Sequence, residues 1–246
     1  MLKITMQESE ILIMTTTTKT NSITISKRTL DILKNFAAIN SGIIVNEGNV
    51  LNTVEAGKSI VAEARVSETF PKKFSIYELN KFLGTVSLFK DPEFVFEDNY
   101  ILIKSGKASV KYWYCDPTLV VSTNKRINMP AAVVKFDLDG KQFSEVLRAA
   151  SVLQVMHMIV RSSEDGSRIE LAVSDKTDRT SNSFCVDVGE NTSGATFEFI
   201  FDVDNLKMIP GDYSVEISEK VVSCFSNKNE PITYWIALNA DSTYEA

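Results

Sequence analysis

Two stretches of this chain are copies of one another, and that repetition limits what the chain can fold into. Residues 27–40 read KRTLDILKNFAAIN and residues 141–154 read KQFSEVLRAASVLQ. Lys27, Asp31 and Lys34 recur with the same spacing as Lys141, Glu145 and Arg148, at an offset of 114. Positions i, i+4 and i+7 share one face of an α-helix, so each copy presents a basic–acidic–basic row. Behind it the period predicts an apolar stripe: Leu30, Leu33 and Ala37 in the first copy, and Phe143, Val146, Leu147 and Ala150 in the second. A repeated amphipathic helix points to a repeated domain.

Other matches support duplication. A second pair of helices aligns around Asn80 and Asn205 at an offset of 125, and Tyr112-Trp113 returns as Tyr234-Trp235 at an offset of 122. Offsets drift in this way when loops change length. In the first half, residues 43–45 and 50–54 are expected to form a hairpin across the Asn46–Asn49 turn, followed by a strand at 59–66. Ser75 and Glu78 read as a capping box that opens a helix with Ile76, Leu79, Leu83 and Val86 as its core stripe. A meander at 94–97, 100–104 and 108–114 closes this half. Residues 116–134, with Pro117, Pro130 and a polar STNK run, read as a connector.

In the second half, Asp139 with Gln142 caps the helix 140–154, and strands are expected at 157–161, 168–173, 182–188 and 195–201. A short helix over 202–208 is stopped by Pro210-Gly211, and strands at 213–218, 221–226 and 232–238 finish the chain. The fold class is therefore α+β: two similar domains, 21–115 and 135–246, joined by the connector 116–134, each packing two helices on antiparallel sheet. Residues 1–20 read as a disordered extension, with Met14 as an alternative start.

Composition narrows the function. The 246 residues carry a net charge of −6, which argues against a simple DNA-binding domain but not against one basic face on an acidic body. Cys115, Cys185 and Cys224 are odd in number and widely spaced; they form no disulfide framework or zinc motif, and read as buried structural thiols in a reducing compartment. No run reaches the length of a membrane helix. Catalysis has little to work with, because His157 is the only histidine and sits in the apolar run VMHMIV. No P-loop, GxGxxG or acidic metal cluster occurs, and no cofactor or metal is expected. The duplicated cations fit sequence-blind contact with backbone phosphates, since the helices lack the residues that read base edges.

The stretches LKNFAAINSGI (33–43), YELNKFLGTVSL (77–88), DPTLVVSTNK (116–125), NLKMIPGDY (205–213) and ALNADSTYEA (237–246) resemble the sliding clamps of T-even-type bacteriophages, the processivity factors of the replicative DNA polymerase. The resemblance runs from about residue 24 to the C-terminus and does not include the first 20 or so residues. It implies the DNA clamp fold, assembling as a homotrimeric ring that passes duplex DNA, in the cytoplasm of an infected bacterial host. It also implies as DNA-facing cations Lys27, Arg28, Lys34, Lys81, Lys141, Arg148 and Lys207. A groove for the polymerase's C-terminal peptide would involve Leu119, Val120, Val121 and Met129. Subunits would join by edge strands, with Lys107, Val110, Tyr112 and Tyr114 meeting Ser183 and Cys185 of a neighbour. An ATP-driven clamp loader and late-transcription factors are further implied partners. The alternatives are a clamp-like interaction module that does not encircle DNA, and an enzyme that would have to use His157.

Overall fold

The computed structural model describes residues 21–123, 127–178, 180–219 and 221–246. The expected extension over 1–20 lies outside them, as does part of the connector. The first half runs β1 (Ser22–Thr24), α1 (Lys27–Ile39), β2 (Ile43–Val45), β3 (Gly48–Val54), β4 (Ile60–Phe70), β5 (Phe74–Ile76), α2 (Leu79–Val86), β6 (Glu93–Phe96), β7 (Tyr100–Ser105) and β8 (Ala108–Trp113). The second half runs β9 (Ala132–Leu138), α3 (Gly140–Leu153), β10 (His157–Ser162), β11 (Arg168–Ser174), β12 (Phe184–Glu190) and β13 (Thr196–Asp202). It continues with β14 (Tyr213–Ser218), β15 (Val222–Asn227), β16 (Ile232–Ala237) and β17 (Thr243–Glu245).

The duplication is topological as well as local. The first half has a sheet ordered β1-β6-β7-β8, and the second repeats it as β9-β14-β15-β16. The joint between the halves is a shared sheet, because β4 pairs antiparallel with β16 to give the order β3-β4-β16-β15-β14-β9. Burial in the two long helices confirms the 114-residue register: Thr29, Ile32 and Phe36 are buried, and so are Phe143, Val146 and Ala150.

Several expectations need correction. The hairpin of 43–45 with 50–54 does not form: β2 pairs with β5, while β3 pairs with the 11-residue β4. The long strand satisfies more of the β3 backbone than a three-residue partner would. Ser75 does not cap α2. It lies in β5 with Ile76, and its hydroxyl donates to the Cys115 carbonyl at 2.5 Å. Glu78 occupies the cap position without a side-chain bond, and the Leu79 N–H donates to the Ser41 carbonyl instead. Residues 202–208 form only a 3-10 turn, Val203–Asn205, so among the described residues the second half has one α-helix rather than two. Asp139 caps α3 by accepting from the Lys141 and Gln142 N–H groups, but the Gln142 amide donates to the Asp187 carbonyl rather than returning to the cap. The cysteines are free thiols of three kinds: Cys224 is buried, Cys115 intermediate and Cys185 exposed.

Missing helix and helix burial go together. α1 is packed between the sheet and α2, and buries Thr29, Ile32, Leu33, Phe36, Ala37 and Ile39. Leu30, expected in the stripe, is only half-buried. α3 has no second α-helix beside it and buries only Phe143, Val146 and Ala150. Val152 and Met156 near its C-terminus are correspondingly exposed.

Candidate nucleic-acid interface

Each cationic row begins at a helix start fixed by carboxylates. On α1 the Ser26 hydroxyl accepts from the Thr29 N–H, and Glu68 on β4 accepts from the Ser26 N–H and the Thr29 hydroxyl, both at 2.6 Å. On α3 the Gly140 N–H donates to Asp212 at 2.8 Å, beside the Asp139 cap. Burial by itself would raise the Glu68 pKa, but the bonds from Thr29 and Ser26 outweigh it and hold the carboxyl below the ordinary glutamate value.

The sign of the pH effect follows. A depressed folded pKa contributes stability above the ordinary glutamate range, and that contribution is lost as pH falls through the folded value. Glu68→Gln is therefore expected to cost about 1 kcal/mol near neutrality in urea unfolding. The difference from wild type should shrink on acidification. A difference that stays constant through the acid range would contradict the role given to Glu68.

All seven expected DNA-facing cations are exposed. Their partners differ. Asp31 pairs with Lys34 at 2.9 Å rather than with Lys27, and Glu78 pairs with Lys81 at 3.3 Å. Arg28 is bound to Glu230 on the second half. Among the described residues Lys27, Lys141, Arg148 and Lys207 have no ion pair, and Glu145 does not engage Lys141. The exposed pairs are worth little and release easily.

The structure brings one part of this set together. The Asn35 amide on α1 donates to the Lys207 carbonyl at 3.1 Å, and its oxygen accepts from the Tyr234 hydroxyl at 2.8 Å. The Tyr234 oxygen accepts in turn from the Ile209 N–H at 3.1 Å. Lys207 is thus held beside the α1 row, with an open groove of about 670 Å³ lined by Lys27, Arg28, Asp31, Asn35, Met208 and Glu230. Lys81 is carried by α2, which packs against α1, while Lys141 and Arg148 stand apart on α3. Asn35, Glu230 and Glu68 were not singled out by sequence reasoning. The only signal for Tyr234 was its place in the repeated Tyr-Trp pair.

The other expected sites are distributed as follows. Val120 is buried and seats against Gly42, where an added Cβ would stand 3.2 Å from a Val120 methyl. Leu119 and Val121 point outward at 60% and 44% exposure, and Met129 is half-buried. β8 and β12 are both edge strands. Lys107 lies in the turn before β8, and Ser183 precedes β12. Tyr112 and Tyr114 face their own core, Tyr112 meeting Phe82 edge to face and Tyr114 stacking on Phe74, so what the edge offers is backbone together with Lys111 and Trp113. Burial, with Glu97 and Asp98 nearby, pushes the Tyr114 phenol up to about 12.

His157 is buried on β10, its Nδ1 accepting from the Lys176 N–H, with the Asp175 and Asp202 carboxylates at 4.0 and 3.9 Å. Among the described residues no group of three or more His, Cys, Asp or Glu could hold a metal ion.

Comparison with known proteins identifies the family and the fold. Residues 25–113 match the DNA polymerase processivity factor family, and residues 135–240 match the C-terminal domain of the gp45 sliding clamp. The sliding clamp of Enterobacteria phage T4 is 31% identical over 227 residues, covering 90% of this chain and 99% of that protein. The sliding clamp of Vibrio phage KVP40 is 27% identical over 220 residues, covering 88% and 99%. Among solved structures, A. fulgidus PCNA bound to the C-terminal region of FEN-1 superposes with a TM-score of 0.63 at 16% identity, covering 89% of this chain and 98% of that one. The fold is shared even where the sequences have diverged. The chain belongs to the sliding clamps, the non-enzymatic processivity factors of DNA polymerases.

Proposed function

We propose that three copies of this chain close into a ring around duplex DNA, with the rows on α1 and α3 facing the hole. The observation that carries this reading is the shared sheet inside the chain. The β4–β16 joint is head-to-tail, while β12 and β8, the equivalent strands, are left as open edges. A head-to-tail joint repeated between copies gives a ring when the rotation closes. Exposed Lys and Arg with few partners contact phosphates without reading bases, which permits sliding, and the closed ring prevents escape.

On this reading Leu119 and Val121 form one edge of the groove that takes the polymerase's C-terminal peptide, with Val120 pinning the connector beneath them. An ATP-driven loader places the ring, late-transcription factors use it as a platform, and the setting is the cytoplasm of the infected bacterium. No described helix is long and apolar enough to cross a membrane.

Light scattering on a sizing column should give three times 27.4 kDa. Rings loaded on a circular duplex should be lost when the circle is cut. A stable monomer at high concentration, or retention on linear DNA with free ends, would restore the reading of a module that does not encircle DNA.

A further inference from the structure

We infer that the joint between copies repeats the joint inside the chain strand for strand but lacks its polar latch, and that Ala149 marks where the latch is missing. This rests on the ring reading above. Inside the chain β4 pairs with β16 from Ile60 opposite Ile236 to Ala64 opposite Ile232. The repeat maps β4 onto β12 and β16 onto β8. β12 pairs only with β11, and β8 only with β7.

These two edges are incomplete in the single chain. β16 alternates buried and half-buried residues, whereas β8 alternates half-buried and exposed ones. Trp113 on β8 is 63% exposed, while its equivalent Trp235 is half-buried. Phe184 on β12 is also exposed. The β8 edge carries Lys107 and Lys111, and β12 carries Glu190 together with Asp187, which is already held by Arg168 of its own chain, so the complementarity rests mainly on Glu190. The occupant that fits each edge is a second copy of this chain.

The internal joint has more than paired strands. Arg28 on α1 binds Glu230, and Asn35 on α1 joins the Tyr234 hydroxyl to the Lys207 carbonyl. The helix offset of 114 puts Gln142 where Arg28 stands and Ala149 where Asn35 stands. The strand offset of 122 puts Tyr112 at the place of Tyr234 and Ala108 at that of Glu230. Tyr112 keeps the phenol but donates to Glu78 of its own chain at 3.2 Å. The Ala149 methyl accepts nothing, and Gln142 with Ala108 makes no ion pair. The seams between copies therefore have the strand pairing without the bridge from the cationic helix. They are the seams at which the ring parts, while the internal joint stays shut.

Ala149→Asn in the full chain tests this, with the trimer fraction followed by mass photometry on dilution. An amide N–H donating to the Tyr112 oxygen leaves the bond of that hydroxyl to the Glu78 carbonyl in place, so one hydrogen bond is added at each of three seams; at roughly fivefold per seam, this should lower the midpoint for dissociation by about tenfold. Adding Tyr112→Phe should cancel the gain. Asn35→Ala should lower the melting temperature and leave the dissociation midpoint unchanged. Ala149→Gln serves as a second amide should the first variant fold poorly. An unchanged midpoint for a folded amide variant, or a gain that survives Tyr112→Phe, overturns the missing latch while leaving the ring intact. A wild-type chain that is monomeric at every concentration overturns the ring itself.

Discussion

Reversing charge at Lys34 and Arg148 together, as Lys34→Glu with Arg148→Glu, is expected to shorten processive synthesis by roughly tenfold or more, since each lost phosphate contact weakens a salt-dependent affinity. The two positions are equivalent in the repeat, but they start from different states. Lys34 is partly offset by Asp31, whereas Arg148 has no ion-pair partner among the described residues. On α3 the change turns a row of Lys141, Glu145 and Arg148 from net positive to net negative. In the proposed ring, three copies multiply the effect. Folding should be little affected, because both side chains are exposed and a like-charge pair at this spacing costs only a few tenths of a kcal/mol. Two readings separate the role from general damage. The assembled mass should stay that of wild type, and DNA retention should depend less steeply on salt between about 50 and 200 mM. Undiminished run length in the double variant would remove these rows from the DNA contact.

Phe36→Ala is expected to have the largest effect on stability. The ring is fully buried on the inner face of α1, and truncating such a side chain costs about 3–5 kcal/mol. Domains typically have only about 5–15 kcal/mol in total. For a chain of this size that corresponds to a melting temperature lower by roughly 10 °C, compared at one protein concentration because assembly also stabilises. Leu30→Ala is the informative partner, since Leu30 is half-buried and should lose much less. An equal or larger loss at Leu30, followed by circular dichroism on heating, would mean that the stripe of α1 is rotated from the one described.

Those two residues also show how far the sequence could be read. The cationic rows and their register were legible, because a solvated helix face is written in residues three and four apart and needs no partner to be recognised. The apolar side of α1 was read as a narrow stripe through Leu30, Leu33 and Ala37. A stripe of that width is what a helix lying on one surface shows, and α1 is instead covered by the sheet and by α2, which brings in Ile32, Phe36 and Ile39. The expected helix at 202–208, read up to its Pro210-Gly211 stop, closes as a single 3-10 turn, because just beyond it the Lys207 carbonyl accepts from Asn35 and the Ile209 N–H donates to Tyr234. The β2–β3 hairpin looked sound locally, but β2 pairs with β5, Ile43 opposite Ile76, at a distance in sequence that no local pattern reports, while β3 turns back on the neighbouring β4. Asn35 was invisible for the same reason. Its partners Lys207 and Tyr234 lie 172 and 199 residues away.

The carboxylates at the starts of α1 and α3 have a consequence for motion. The first amide groups of a helix are a natural cradle for a phosphate. At the head of α3 they are already occupied by Asp139 and Asp212, while at the head of α1 Glu68 accepts from the Ser26 N–H and the Thr29 hydroxyl and the Ser26 hydroxyl accepts from the Thr29 N–H. In the proposed ring, a phosphate passing either helix start would meet these carboxylates rather than a rigid, directional dock, and would be held only by the tips of long side chains that follow it and let go. Motion along the duplex would then be slowed by flexible cations more than by the helix ends.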